Sequence, residues 1–557
     1  MKKRKQKTTK YIFVVGGVMS GVGKGITSSS IGKILQMAGY RVSAVKIDPY
    51  INVDAGTLNP VEHGETFVLE DGHETDQDMG NYERFLNQSL TRESYITTGS
   101  IYQKVIQDER ALRYDGKTVS VVPHIPLAVI KQIQKAAKRQ DAEIMVVEIG
   151  GTVGEYENIL FLEAARMMKR KQSDDVLFVL VSYLPIPKNL GEMKTKPTQQ
   201  AIRTLQESGV FPDIIVARGE KALDTPRKEK IAQASLLKRE DIISAPDISS
   251  VYDIPEYFLQ EKLDQQILHK LQLKRRRNRK AQGETERWKK FTRSTKKLYN
   301  EVNIAIVGKY FSSGDFALTD AYVSVIEALK YAGFTHKAKV TLHWVNSRDF
   351  ETGKRKVNEL KKYDGILVPG GFGNTGIEGK DMAIRYAREN AIPFLGLCLG
   401  MQRAAIEFAR NVCGIENAES DEREIRGSAP IITTMEEQKK LIKEKKLGGS
   451  MRLGTYRARL TKGSLARKIY KRDEISERHR HRYELNPEYV PLLEEHGMKV
   501  SGWSVEGNLP EIIELDKKLH PFFITTQFHP ELRARPLSPH PLFVAFIGES
   551  LKQRKKK

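Results

Sequence analysis

The 557-residue sequence predicts an α/β protein of two doubly wound, mainly parallel sheet domains. Three observations predict it. Short apolar runs alternate with amphipathic stretches through both halves of the chain. The length exceeds what one hydrophobic core serves and points to two domains of roughly 250 residues. A strand-like run at 11–15 breaks into a glycine-rich loop carrying Lys24 and then into a helix-like stretch, the arrangement that cradles a phosphate chain.

The elements follow in order. After the strand at 11–15, Ile26, Ile31, Ile34, Leu35 and Met37 form most of the apolar stripe of a helix. Residues 41–47 are a strand ending in Asp48-Pro49. The next segment, 48–85, is polar and too long for a passive connection, so it is expected to line a site. Residues 144–149 (IMVVEI) are a buried strand running into Gly150-Gly151-Thr152, and 176–181, 214–217 and 242–244 are further strands. Pro197 starts a helix running to about Glu207, at a position where proline is tolerated. Residues 271–300 are polar and basic and read as a linker with some helical character lying over a surface. Alternation restarts with a strand at 302–307, a helix at 319–332 and a strand at 340–345. A strand at 365–368 ends in Pro369-Gly370-Gly371, one at 392–397 ends at Cys398, and a helix follows over 401–409. The expected organisation is a basic tail (1–10), a first domain (11–270), a basic linker (271–300), a second domain (301–550) and a basic tail (551–557).

The formal net charge is +22. Residues 1–10 supply +6, residues 270–297 supply +11 and residues 551–557 supply +5, which leaves the body of the chain neutral. A nucleic-acid-binding surface puts its basic residues on a folded face, so this distribution speaks against a specific nucleic-acid partner. No run of 18 or more apolar residues exists, so no membrane span is expected. Two cysteines, Cys398 and Cys413, exclude a disulfide framework and fit a reducing cytoplasm.

The loop over residues 16–25 departs from the GxxxxGK[ST] pattern. Val18 stands where the first glycine is expected, and Gly25 replaces the hydroxyl residue that would help to hold Mg²⁺. It is closer to a deviant xGxGK form, the alternative being a plain glycine-rich turn. Carboxylates elsewhere must then serve the metal, which takes hard oxygen ligands and keeps several waters. Asp78 is one candidate, with Asp71, Glu74 and Asp76 so near that spacing alone does not choose. Glu148, at the end of a buried strand, is another; a carboxylate paired to a lysine is the competing reading. Lys194, Lys196 and Lys230 are suited to grip phosphates, although KTKPTQ at 194–199 also reads as a solvent-exposed turn.

The second half carries a different chemistry. Gly396-Leu397-Cys398-Leu399-Gly400 is the cysteine form of a nucleophile elbow, where flanking glycines permit the sharp turn and the helix N-terminus favours the thiolate. Phe528-His529-Pro530-Glu531 supplies a base and a group to orient it. His479 and His481 compete for the role, but they lie among arginines, which discourage protonation and suit anion binding better. The Pro369-Gly370-Gly371 turn offers a backbone N–H to an oxyanion. Cys413 has no such setting and reads as structural.

These residues make up a family pattern. The second half resembles class I glutamine amidotransferase domains in PGGFG (369–373), GLCLGMQ (396–402) and FHPE (528–531). The first half resembles the synthetase domain of the CTP synthase family. The matching runs are KIDPYINVDAGT (46–57), HGETFVLEDGHETDQDMGNYERF (63–85), TTGSIY (97–102), VPHI (122–125), VEIGGTVG (147–154) and KTKPTQ (194–199), joined in the second half by GGSMRLG (448–454) and ERHRHRYE (477–484).

The resemblance implies a deviant P-loop domain and a triad amidotransferase domain acting together in the cytoplasm as a C–N ligase. Cys398 would attack glutamine, with His529 shuttling protons, Glu531 orienting it and the Gly371 backbone binding the oxyanion. Glutamine would be held by Leu399, Gly400, Met401, Gln402, Glu422 and Arg482. Ammonia would pass inside the protein to the first domain, where ATP phosphorylates the 4-oxygen of UTP and ammonia displaces the phosphate. Ser20, Gly21, Val22, Gly23, Lys24, Gly25, Lys46 and Asp78 would form the ATP site. Ser20, Glu155, Tyr156, Glu157, Lys194, Thr195, Lys196, Pro197, Thr198, Gln199 and Lys230 would form the UTP/CTP site. Asp78 and Glu148 match the family's Mg²⁺ positions. GTP activation, CTP feedback inhibition and a homotetramer (a dimer of dimers) are further family features. Thr375 replaces an arginine common in the GFGxRG run and Glu155 replaces an aspartate, so GTP activation and CTP inhibition are where this chain is expected to differ.

Two other functions fit parts of the pattern. One is a P-loop amidotransferase that amidates a carboxylate, as cobyrinate-type synthetases do; KTKPTQ and the DPYINVD segment speak against it. The other is a regulatory ATPase with a degenerate amidotransferase-like domain; the intact Cys398, His529 and Glu531 set speaks against that.

Overall fold

The computed structural model describes residues 8–557 other than 18, 310–311, 314–315, 318–319, 372, 374, 436–437 and 439–448. Most of the basic tail 1–10, Val18, the first residue of the helix expected at 319–332, and parts of the PGGFG and GGSMRLG runs therefore lie outside the described residues. The chain divides into two units. One holds the described residues up to Asp54 together with Asn81–Thr292, and the other holds Ala55–Gly80 and Arg293–Lys557.

The first unit is built on a seven-stranded parallel sheet. Its strands are β1 (Lys10–Gly16), β2 (Val42–Asp48), β3 (Tyr95–Thr97), β4 (Ile144–Ile149), β5 (Val176–Tyr183), β6 (Ile214–Gly219) and β7 (Ile242–Pro246), in the order β3-β2-β4-β1-β5-β6-β7. Every residue of β2 and β4 is buried, as a parallel strand covered on both faces requires. The chain passes from β1 to β2 and β3 at one edge, returns to β4 beside β1 and then crosses to β5, β6 and β7 on the other side. The connections thus change direction next to β1, and the carboxyl ends of β1 and its neighbours form the crevice where such sheets bind ligands. The helices that matter for the site are α1 (Lys24–Met37), α2 (Asp78–Leu86), which belongs to this unit from Asn81 onward, and α3 (Lys196–Glu207). Within the stretch expected to link the domains, α4 (Arg279–Thr295) is anchored in this unit. Its Trp288 is buried against Phe85 and donates to the Tyr252 carbonyl at 3.1 Å.

The second unit carries a nine-stranded mixed sheet. Its strands are β8 (Asn300–Gly308), β9 (Ala338–Asn346), β10 (Gly365–Val368), β11 (Phe394–Leu397), β13 (Arg452–Leu460), β14 (Glu474–His481), β15 (Met498–Ser504), β16 (Pro510–Leu515) and β17 (Phe523–Thr526). They run in the order β9-β8-β10-β11-β17-β16-β15-β13-β14. The first five are parallel and the last four join them antiparallel. The short strand β12 (Ala418–Ser420) belongs to a separate three-stranded sheet. Helices α5 (Val323–Thr335), α6 (Ile377–Glu389) and α7 (Leu399–Asn411) connect the parallel strands.

Segment 55–80 interrupts the first half of the sequence yet packs in this second unit. Glu65 accepts from the Ser324 N–H at the start of α5, Arg478 donates to the Val68 carbonyl at 3.0 Å, and Arg480 Nε donates to Glu74 Oε1 at 2.8 Å. These polar bonds add to the burial of Phe67, Val68, Leu69 and Met79 within the segment.

Candidate functional site

In the first unit β1 delivers its loop directly onto α1. Gly21 and Gly23 have φ of +70° and +82°, which a side chain would strain, and Gly23 caps the helix. The first turn of α1 contains no acidic residue, so its N-terminus stays electropositive. Lys24, the first residue of α1, donates to the Gly151 carbonyl beyond the end of β4 at 2.7 Å. Lys46 and Glu148 are cross-strand partners of β2 and β4. Both are buried, with Lys46 Nζ 3.0 Å from Glu148 Oε1 and 3.6 Å from Asp48. Tyr82, one turn into α2, donates to the other oxygen of Glu148. Asp78 opens the same helix, with its backbone N–H bonded to Asp76 Oδ1. Glu148 is therefore the lysine-paired carboxylate of the competing reading, and it is also a carboxylate at a strand end in the ligand crevice.

The remaining nucleotide candidates are placed unequally. Ser20 is exposed, and Val22 and Gly25 are buried. Glu155 closes the Gly150-Gly151-Thr152 turn by accepting from the Thr152 N–H at 3.0 Å and its hydroxyl at 2.6 Å. Tyr156, Glu157, Lys196 and Lys230 are exposed, and Pro197 is half-buried on the first turn of α3. Lys194 pairs with Glu192 at 2.9 Å, and Gln199 donates to the Thr195 hydroxyl at 3.1 Å. Thr198 is buried against Ser182, with the hydroxyls 2.9 Å apart, which fixes the start of α3 on β5.

Among the described residues no cluster of three metal-ligating side chains occurs. Mg²⁺ does not need one, because one or two carboxylates complete its shell together with substrate phosphates and water. A buried carboxylate at the end of β4 fits that requirement.

In the second unit three adjacent parallel strands bring the second chemistry together. β10 runs into 369–371, β11 ends at Cys398, and β17 leads to His529. Cys398 has φ +51° and ψ −102°, a strained elbow held by its N–H to the Thr526 carbonyl at 2.7 Å. The flanking glycines are sterically required. A Cβ on Gly400 would lie 2.3 Å from the Val368 carbonyl oxygen, and one on Gly396 would lie 2.8 Å from Thr525 Cγ2. His529 Nδ1 is 2.7 Å from Glu531 Oε1. A Cβ on Gly370 would meet both the His529 ring (2.8 Å) and Cys398 Cβ (3.6 Å), so ring and cysteine both border the space that the missing side chain leaves open. Burial works against the imidazolium, but Glu531 and then Cys398 outweigh it and hold His529 well above the usual histidine range. Among the described residues His529 Nε2 has no hydrogen bond of ordinary geometry, while Cys398 is close enough to help raise the ring's pKa. A cavity of about 70 Å³ opens beside this group, lined by Gly370, Gly371, His529, Arg480, Glu65 and Thr66 among others.

Around the elbow, Leu399, Gly400, Met401 and Gln402 are buried in the first turn of α7. Gln402 Nε2 donates to the Tyr483 carbonyl at 2.9 Å. Glu422 accepts from the Gly373 N–H at 3.2 Å. Arg482 donates to Gln438 at 3.0 Å and Ser450 at 2.9 Å. His479 and His481 are not available to anions: both are buried, 3.1 Å apart, and burial followed by Arg452 pushes both well below the usual histidine range. Anion binding by this pair is corrected to a buried neutral pair. Sequence reasoning missed two groups on the sulfur, Gln527 Nε2 at 3.7 Å and the Arg480 carbonyl at 3.8 Å. The place of Gln527 immediately before the FHPE run is the one signal that pointed to it. Cys413 is removed from this chemistry, its thiol pushed up to about 11 by burial and Glu495.

Comparison with known proteins adds the family context. A family model described as CTP synthase N-terminus matches residues 10–273, and one described as glutamine amidotransferase class-I matches residues 317–548. A CTP synthase of Carboxydothermus hydrogenoformans is 47% identical over 549 residues, 98% of this chain and 99% of its own length. One of Methanocaldococcus jannaschii is 46% identical over 554 residues, 98% of this chain and 99% of its own length. Among solved structures, a Trypanosoma brucei CTPS glutaminase domain with bound acivicin is 34% identical and covers 45% of this chain and 94% of its own, with a TM-score of 0.41.

Proposed function

The chain belongs to the CTP synthase family, and on that premise we propose how its own residues carry out the ATP-dependent amination of UTP to CTP with nitrogen from glutamine. The observation that carries the reading is the cysteine elbow beside the His529–Glu531 pair at 2.7 Å, in a chain whose other unit ends β1 in a lysine-bearing glycine loop.

Glutamine hydrolysis runs in the second unit. The Cys398 thiolate attacks the glutamine carboxamide carbon, and the negative oxygen that forms is met by the Gly371 N–H. His529, held by Glu531, gives its proton to the departing nitrogen, and ammonia leaves behind a γ-glutamyl thioester. The same ring then takes a proton from water as that water attacks the thioester, releasing glutamate and restoring the thiolate beside the protonated ring. Glu422 holds the α-ammonium of glutamine and Arg482 its carboxylate, while residues 399–402 pack around the side chain.

Amination runs in the first unit, with ATP and UTP as substrates. Residues 20–25 hold the ATP phosphates. Lys24 and Lys46 neutralise charge on the transferring phosphoryl group, which moves to the 4-oxygen of UTP. Residues 155–157, 194–199 and Lys230 hold the pyrimidine nucleotide. Ammonia, reaching this site through the protein interior, attacks C4 and phosphate leaves. Asp78 and Glu148 would hold Mg²⁺, which when bound offsets the negative charge of the phosphates.

The finer assignments belong to the same reading: synthetase residues within 11–270, amidotransferase residues within 301–550, GTP activation, CTP feedback inhibition, a homotetramer and a cytoplasmic location. Among the described residues no helix is long and apolar enough to cross a membrane. Incubation with UTP, ATP, Mg²⁺ and either glutamine or ammonium, following CTP, tests the reading. Absence of CTP from both nitrogen sources would overturn it.

A further inference from the structure

Arg403 follows directly on the glutamine-packing residues of α7 and is 1% exposed. Its guanidinium forks onto Asp381 of α6, with Nε 2.8 Å from Oδ1 and Nη2 bonded to Oδ2, while Nη1 reaches Glu419 Oε1 of β12 at 2.6 Å. Glu419, also 1% exposed, is a hub. Its Oε2 accepts from Arg410 at 2.8 Å and Arg423 at 2.7 Å, and its Oε1 accepts from the Ser420 N–H at 3.0 Å. Arg423 in turn reaches Glu378 at 2.7 Å. Three arginines and three carboxylates thus tie α6, α7 and the turn at 419–423 into one formally neutral network, buried at Arg403, Asp381 and Glu419 and reaching the surface at Glu378. That turn carries Glu422.

Burial at this depth is a poor way to gain stability, because desolvating charges offsets most of their attraction and apolar side chains of similar volume do as well. What a forked, charge-assisted network supplies is direction and distance. The site has a specific need for both. A glutamine whose carboxamide carbon lies at Cys398 must place its α-ammonium at Glu422, and these two ends are carried by different elements: Cys398 by the head of α7, and Glu422 by the turn after β12. Apolar contacts would let helix and turn slide by fractions of an ångström at little cost. The Arg403 fork, bonded at once to α6 and to the turn, does not.

We infer that Arg403, acting through Asp381 and Glu419, is a positioning residue that fixes the span between Cys398 and Glu422 and so sets the enzyme's selectivity for glutamine. This rests on the reading of Glu422 as the ammonium partner. Arg403 touches neither the reacting atoms nor the nucleotide site.

The test uses the full-length enzyme. Removing Arg403 alone would strand two carboxylates, so the main variant is the charge-balanced pair R403M/D381L, which leaves Glu419 with Arg410 and Arg423. R403K is the conservative variant, keeping the charge and losing the fork. Because an ångström of misplacement costs up to about a hundredfold, KM for glutamine should rise about tenfold or more in R403M/D381L and less in R403K. The kcat for glutamine hydrolysis should fall much less, and ammonia-driven CTP formation should stay at the wild-type rate. An unchanged glutamine KM in both variants would overturn the inference. So would a parallel loss of the glutamine-driven and ammonia-driven rates, which is the mark of a merely structural role, and if R403M/D381L fails to fold the KM of R403K decides. E422A separates the two levels. A raised KM in E422A with no change in the Arg403 variants overturns the positioning role alone, whereas an unchanged KM in E422A overturns the reading of Glu422 and the positioning role with it.

Discussion

His529 Nδ1 stands 2.7 Å from Glu531 Oε1, two residues on along the same turn, and this carboxylate is the strongest influence holding the buried ring protonated against the cost of its own burial. Glu531→Gln keeps the shape and removes the charge. With the ring's orientation and imidazolium both weakened, glutamine-driven CTP formation should fall about 10²–10⁴-fold, while the ammonia-driven rate stays at the wild-type level. The pH dependence has a definite sign. A histidine raised in the folded state stabilises fully below its ordinary value near 6.5 and loses that contribution as pH rises through the higher folded value. In E531Q that loss should move to lower pH, and a melting-temperature profile identical to the wild type would contradict the assigned pair.

The elbow makes a steric prediction. A single methyl on Gly400 would lie 2.3 Å from the Val368 carbonyl oxygen, and backbone cannot yield there without moving the end of β10 or the head of α7. Gly400→Ala should therefore abolish glutaminase activity and shift reaction of Cys398 with a thiol-directed glutamine analogue from fast to undetectable. Ammonia-driven synthesis should survive. Retention of glutaminase activity in G400A would mean that the elbow is looser than its geometry implies.

How much of this was legible in the sequence follows from the range of the interactions involved. The strands at 144–149 and 365–368 were readable because apolar runs bounded by glycine are a local signal, and the elbow was readable because its glycines are required within five residues. Trp288 was not: a single aromatic in a basic stretch says nothing about Phe85 and Tyr252, which receive it from far away in sequence. The placement of 55–80 in the second unit was equally hidden, since it depends on Glu74 meeting Arg480 and Glu65 capping α5, pairs more than 250 residues apart. The Arg480 carbonyl near the sulfur was invisible for the same reason, and Gln527 was marked only by its place before the FHPE run. The Arg403 network was hidden in another way, because arginine inside an apolar helix pattern reads as surface until its carboxylates are found.

Lys24 and Lys46 differ in what their removal should do. Lys24 rests on the Gly151 carbonyl at 2.7 Å, a polar group it can leave when phosphate is present. Lys24→Ala should stop CTP formation from glutamine and from ammonia alike, by at least about a hundredfold, without lowering the melting temperature. Lys46 is buried on Glu148 at 3.0 Å. Lys46→Met strands that carboxylate and should cost about 3–5 kcal/mol of stability, a loss that Glu148→Gln in the same chain should largely restore. A Lys46→Met protein as stable as the wild type would show that Glu148 is held without the lysine, through the hydroxyl of Tyr82.

Lys380, one residue before the Asp381 of the Arg403 network, is 1% exposed and its ammonium has no hydrogen-bond partner among the described residues. Burial, then Lys309 and Arg403, pull its pKa from 10.5 down to about 7, against the attraction of Asp381 and Glu422. The sign follows from the direction of that shift. Below about pH 7 the folded protein carries the buried charge and bears its full cost. Between about 7 and 10.5 the folded chain has released a proton that the unfolded chain still holds, so stability rises with pH across that window. Lys380→Met removes the charge at every pH. Its melting temperature should exceed that of the wild type most at pH 6, and the difference should shrink steadily towards pH 9. A difference that stays constant over that range would show that the amine is protonated throughout, held by Asp381 and Glu422 more firmly than its burial opposes.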